Sequence, residues 1–192
     1  MRRMMYAPLL ALAAFATGCA SSTTLQKASP CDIPDWYTEI PQDPNYFFAV
    51  ATATSQDMQL ASDKATVAAR SEIARQAEVK VSGLQKRFDQ EVGLAENSQL
   101  MQQFTQATKT VVSESLSGSR IKHQKPCKDG AVWRSYVLVE YPIGAANQAL
   151  LGQIRANDLM RTQFAASKAY KDLDQEVQKY EEWKKDQATP AK

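Results

Sequence analysis

Residues 131–141, AVWRSYVLVEY, are apolar on both sides when laid out as a strand: Trp133, Val137 and Val139 on one, Val132, Tyr136 and Leu138 on the other. Successive side chains of a strand point to opposite faces. A segment apolar on both must be covered on both and flanked by neighbours, so this run predicts a central strand. Two weaker candidates supply the flanks. Residues 46–54 are aromatic and β-branched at the ends and Ala-rich between, and Ala49, Ala51 and Ala53 leave room for close packing. The other candidate follows the Ser-rich residues 113–119 and runs to about Lys125. A switch of apolar parity between Leu116 and Ile121 predicts a bulge near Gly118. Residues 125–130, with Pro126 and Asp129-Gly130, read as a turn.

The layer against this sheet is helical. Thr54 and Asp57 have capping-box spacing. After them Ala61, Ala65, Ala68, Ala69, Ile73, Ala77, Val81, Leu84 and Phe88 recur every three or four residues, which is the period of an amphipathic helix. A buried stripe of alanine permits close approach to a sheet. Gly83 is a candidate kink, and Gly93 a candidate stop. A second helix over residues 96–112, with Leu100, Phe104, Ala107 and Val111 on one side, is expected to turn back along the first. Beyond Pro142 and Gly144 about 40 residues are helical in pattern. Ala146, Leu150 and Ile154 lead, and Leu159, Ala166, Tyr170, Leu173, Val177 and Tyr180 follow near a heptad phase. One helix of that length would be ~60 Å long. Part of it must project as an oligomerisation or partner-binding arm, or fold back onto the domain. The fold class expected is α+β: a small three-stranded antiparallel sheet, helices on one face, and a long C-terminal helix.

The N-terminus fixes the compartment. Arg2 and Arg3 precede an apolar run over residues 4–16, of secretory h-region length and too short to span a bilayer comfortably. It ends in Ala16-Thr17-Gly18-Cys19, which resembles the lipobox of bacterial lipoproteins. Cleavage before Cys19 would leave a cysteine carrying a diacylglycerol on sulfur and a third acyl chain on its amine. Each buried methylene contributes ~0.8 kcal/mol, and two or three chains together anchor stably. Ala20, not Asp, follows the cysteine, which looks like the outer-membrane sorting choice. The organisation read from the sequence is a signal peptide at 1–18, a flexible Ala/Ser/Thr-rich tether at 19–29, an α+β domain at 30–143 and a helical arm at 144–187. If Cys19 is acylated, Cys31 and Cys127 remain in a compartment that permits disulfides, and they are expected to pair.

Composition narrows the partners. The chain has 23 Lys+Arg and 21 Asp+Glu, and residues 1–18 hold Arg2 and Arg3 but no acid, so the remainder carries equal numbers of each sign. A neutral mature chain lacks the basic footprint of nucleic-acid binding. His123 is the sole histidine, and although His123 and Cys127 have metal-like spacing, no further ligand lies near in sequence. Asp32 and Asp35 could pair as acid and base, but the prolines around them and Trp36 make them equally good turn residues. Trp36 and Tyr37 read as a cap over one end of the core, with a ligand-stacking platform as the alternative. No phosphate loop, nucleophile elbow or zinc-protease motif occurs. The expectation is a non-enzyme without metal or cofactor.

The order of elements resembles the LPP-twenty lipoprotein family, which includes the FlgP-like flagellar lipoproteins of the outer membrane. The likeness is carried by Pro34-Asp35-Trp36, Ala49-Val50-Ala51, Ala65, Ala69-Arg70 and Ile73-Ala74. Val79-Lys80-Val81-Ser82 and Tyr136-Val137-Leu138-Val139 complete it, so that it covers residues 31–141. The resemblance implies an outer-membrane lipoprotein with a small α/β domain, often found in assemblies and without catalysis. Its expected partners are the membrane, through the lipid, and further copies or other envelope proteins. The expected function is structural or assembly-related, conceivably at the flagellar base. The alternative is a binding module that takes a cell-wall fragment or apolar ligand between the Ala-rich helix and the sheet.

Overall fold

The computed structural model describes residues 31–188. The signal peptide, Cys19 and the whole tether lie outside them. The sheet has the order β1-β3-β2, all antiparallel, from β1 (Tyr46–Ser55), β2 (Arg120–Asp129) and β3 (Val132–Pro142). β3 is central, as its two-sided apolar character requires. β1 pairs with it from Tyr46↔Pro142 to Ser55↔Trp133 without interruption. β2 pairs from Arg120↔Glu140 to Asp129↔Val132.

α2 (Met58–Val92) is one helix of 35 residues. Ala61, Ala65, Ala69 and Ala77 are fully buried on its sheet side, facing Ala49 of β1 and the inner residues of β3. The Ser62 and Ser135 hydroxyls meet at 3.2 Å inside this interface. A helix of this length spans ~52 Å, whereas a ten-residue strand reaches only ~33 Å, so the helix overhangs the sheet. Its far half therefore exchanges alanine for Val81, Leu84 and Phe88, which need another partner. α3 (Ser98–Gly118), α5 (Asp158–Phe164) and α6 (Lys168–Ala188) provide it. There Phe88, Phe104 and Phe164 form a triad, with Phe88 and Phe164 stacked at 4.2 Å.

Several expectations need correction. Thr54 belongs to β1, and the α2 cap is Asp57 alone, whose carboxylate accepts from the Leu60 amide at 2.7 Å. Ala68 faces solvent. Gly83 lies inside the continuous helix and does not interrupt it. Gly93 does stop it, in the left-handed conformation at φ 66°. Residues 113–119 are helical through Gly118, because Val111 and Ser115 extend the buried stripe. Their serine hydroxyls bond to carbonyls one turn back, Ser117 to Ser113 and Ser119 to Leu116, which removes their competition with the helix. The bulge falls between Ile121 and His123, not at Gly118. Residues 125–129 are strand, not turn. Pro126 is accommodated because β2 is an edge strand, and only Gly130, at φ 59°, and Ala131 make the hairpin connection.

The C-terminal 40 residues are three helices rather than one: α4 (Ile143–Ala156), α5 and α6. Asn157 breaks the first and caps the second, accepting from the Met160 amide at 3.0 Å. Ser167 separates the second from the third, its hydroxyl donating to the Phe164 carbonyl and accepting from the Tyr170 amide. These breaks fold the chain back, so Leu150, Ile154, Phe164, Leu173 and Val177 all enter the one core. Most of the heptad-like stripe is used within the molecule: Leu173 and Val177 are in the core and Leu159 and Tyr170 pack against it, while Ala166 is exposed. Arg87 pairs with Asp172 and Lys80 with Glu176 across the α2–α6 contact.

Candidate functional site

Part of the second face of the sheet, around Tyr136 and Leu138, is covered by the chain's approach to β1. Residues 31–45 cross it as a strap, with a single helical turn, α1 (Asp35–Thr38). Cys31 is joined to Cys127 of β2 by a disulfide, Cα–Cα 5.1 Å. Lys125 Nζ donates to the Asp32 carbonyl at 2.9 Å. Pro34 is buried, Trp36 lies on His123 at 5.6 Å, and Tyr37 meets Tyr136 edge-on at 5.0 Å. The far end is held by the Ile143 amide, which donates to the Asn45 carbonyl at 2.9 Å. Leu138 points to this side and is completely buried although it lies outside the main core. The strap supplies its cover.

Prolines keep the strap extended and aromatic residues give it area to bury, which is why so short a segment can hold a sheet face. Trp36 and Tyr37 therefore act as packing groups, each with a ring partner on the sheet. His123 is exposed and rests against Trp36; Asp32 and Asp35 are exposed on the strap. The structure does not gather these residues into one cavity. Among the described residues no group of three His, Cys, Asp or Glu side chains is arranged to hold a metal ion. The buried part of the interface between the Ala-rich helix and the sheet is packed with its own side chains.

Two surfaces that the sequence did not single out are open. One is the free edge of β1. The Gln76 amide donates to the Phe48 carbonyl at 3.0 Å, and beside it lies a mainly apolar hollow of about 380 Å³ formed by Phe47, Gln76 and Val79, with Arg75 and Lys80 at its rim. Val79 is 61% exposed. The other is a groove between α3 and α4 beside Tyr141 and Tyr180. The signal for both was present but faint: Val79 breaks the polar face of α2, and strand parity puts Tyr141 on the helix side with Val137 and Val139.

A three-stranded sheet with helices on one face and a disulfide-pinned strap on the other defines a small α+β domain. The model of the LPP20 lipoprotein family matches residues 34–141, from the buried proline of the strap to the last tyrosine of β3. The chain belongs to the LPP20 lipoprotein family. Helices α4–α6 lie beyond the matched region. No curated protein matches the chain. Among the described residues no helix is long and apolar enough to cross a membrane, which together with the family fits a lipid-anchored protein.

Proposed function

We propose that this protein is an outer-membrane lipoprotein, held by acyl chains on Cys19, that acts as a non-enzymatic assembly component by pairing with further copies along β1. The observation that carries the reading is the contrast between the two sheet edges. β2, RIKHQKPCKD, has four Lys or Arg, a proline and a bulge, all devices that discourage strand addition. β1, YFFAVATATS, has ten residues without a charge, proline or glycine, and among the described residues no strand lies beyond it. An edge free of such devices, apart from the Phe48 carbonyl that Gln76 occupies, beside an apolar hollow suits β-augmentation, with backbone hydrogen bonds for affinity and the hollow for a partner side chain.

The anchor and the edge work together in this reading. A tether of residues 19–29 reaches at most ~3.3 Å per residue, so the domain stays within a few tens of ångströms of the bilayer. Any pull on the lipid enters through Cys31 directly into β2, and the strap is not peeled away first. That suits a component that bears load in an envelope structure, and the family resemblance makes the flagellar base one such setting.

Light scattering on the mature chain with Cys19→Ser tests the assembly. Oligomers are expected, and the T52K/T54K variant, altered at two exposed β1 positions, should be monomeric with its melting temperature unchanged. A wild-type monomer at all concentrations would remove the assembly reading. Intact mass of cell-derived protein tests the anchor: an N-terminus without acyl chains would refute it.

A further inference from the structure

The residues of β1 divide between its paired side and its open side. The Ile143 amide donates to the Asn45 carbonyl, in step with the register Tyr46↔Pro142. Odd-numbered residues therefore bond β3, and even-numbered ones present N–H and C=O to the open edge. Gln76, which holds the Phe48 carbonyl from that side, agrees. The Tyr46 amide is also taken, by the Asp43 carbonyl at 3.1 Å. Among the described residues Val50, Thr52 and Thr54 keep both backbone groups free. The usable edge is three residues centred on Thr52.

That edge is complementary to itself. A second β1 running antiparallel about Thr52 sets Val50 opposite Thr54 and Thr52 opposite its own copy, and six hydrogen bonds use each free group once. A shift of two residues one way draws on the Phe48 carbonyl that Gln76 holds. The opposite shift sets Val50 against Gln56, beyond the end of the strand. β2, with its charges, proline and bulge, is the poorer edge to join.

The same register seats a side chain in the hollow beside Phe47. That residue comes level with residues 57 and 58 of the copy. Met58, 43% exposed at the start of α2, then reaches the space formed by Phe47, Gln76 and Val79. A flexible thioether suits an irregular apolar hollow. The copy's Asp57 arrives with it, toward the rim cations Arg75 and Lys80, each of which already holds one carboxylate of its own chain.

The helices meet as well. α2 packs on both β1 and β3, so its axis lies over the boundary between them. Strands ~4.8 Å apart then bring the two α2 axes to about 10 Å, a helix-packing distance. Leu60, Lys64, Ala68, Glu72 and Gln76 form one row at four-residue spacing, beside the buried alanine row and over the β1 edge. Leu60 is 47% exposed and Ala68 faces solvent, and the copy's row covers both. Ser62 meets Ser135, which lies opposite Ala53, so Lys64 stands near the axis and faces its own copy. There like charges oppose pairing.

We infer, on the reading that β1 pairs with further copies, that two chains join antiparallel about Thr52 into a closed two-fold dimer with one six-stranded sheet. The axis is normal to the sheet, so both straps, and with them both Cys31 ends, lie on one face. The mature Cys19→Ser chain tests this by light scattering, with single cysteines oxidised by copper phenanthroline. A dimer and no larger species is expected. Thr52→Cys should cross-link to its copy, the Cα atoms being ~5.5 Å apart, whereas Val50→Cys, about 13 Å from its own copy, should not. Met58→Lys should weaken the dimer about tenfold with circular dichroism unchanged, and Lys64→Ala should tighten it about three- to tenfold. A monomer at all concentrations would remove self-pairing and the dimer together. Cross-linking of Val50→Cys in place of Thr52→Cys would overturn the register and leave self-pairing standing. Oligomers beyond two would overturn the closure, and affinity unchanged by both Met58→Lys and Lys64→Ala would overturn the contacts made by α2.

Discussion

Gly144, in the first turn of α4, lies directly beneath the ring of Tyr180 on α6, and a Cβ there would overlap Cγ of the ring. Only glycine permits the two helices to approach so closely at this point. Tyr180 is held from its other side by stacking on Trp183 at 5.7 Å, and Trp183 in turn meets Tyr46 of β1. The contact thus ties the C-terminal helix to the start of the sheet.

Gly144→Ala should push α6 outward. Overpacking of this kind costs about 1–3 kcal/mol, which outweighs the ~1 kcal/mol that alanine gains over glycine in a helix. A lower melting temperature and a red shift of Trp183 emission are expected. In a Tyr180→Ala background the same substitution should cost little, and a double-mutant cycle reads that coupling. Equal costs in both backgrounds would mean that the ring is not what excludes the methyl.

The Phe88–Phe104–Phe164 triad holds the overhanging half of α2 to the later helices. All three side chains are fully buried. Phe164→Ala should cost about 3–5 kcal/mol, read by urea denaturation. Hydrogen exchange should also accelerate in α5 and α6 before it does in β3.

The disulfide closes a long loop, with a sequence separation of 96. Removing it by the paired Cys31→Ser/Cys127→Ser change should destabilise the domain by about 2–5 kcal/mol. The strap should respond most, since its remaining hold is a few ring contacts and hydrogen bonds at its two ends. Trp36 emission should shift to the red on reduction with dithiothreitol at temperatures where the helices remain folded. If Trp36 and the far-ultraviolet signal change together, the strap has no separate dependence on the cross-link.

Tyr141 predicts a pH dependence on the alkaline side. Burial raises its folded pKa from 10.0 to about 12, so on alkalinisation the unfolded chain loses this proton first. The stability linked to the neutral phenol is fully present below pH about 10 and is lost between about 10 and about 12. Its size is on the order of 2 kcal/mol. Tyr141→Phe should flatten that part of the stability profile and remove the last phenolate to appear at 295 nm. An unchanged profile would show that Tyr141 ionises like a solvated tyrosine.

The sequence by itself determined the elements whose environment is encoded locally. A segment apolar on both faces has to be the middle strand, an alanine stripe has to lie close to a sheet, and Gly93 marks a helix end because it adopts a positive φ at little cost. The resemblance to the LPP-twenty family likewise rested on residues within the region its model matches. Only the tertiary structure decided the rest. Whether Ser113 to Ser119 continued a helix depended on hydroxyls finding carbonyls one turn back. Whether Pro126 ended a strand depended on β2 lying at an edge.

The C-terminal stripe shows the reason most plainly. Its spacing is the same whether Leu173 and Val177 face a second molecule or their own core, because periodicity specifies a buried face and not its partner. What settled the matter was an overhang of α2 that left Leu84 and Phe88 needing cover, a fact about relative lengths and positions. The groove beside Tyr141 was hidden for the same cause: its walls come from segments far apart in the chain, and only packing brings them together.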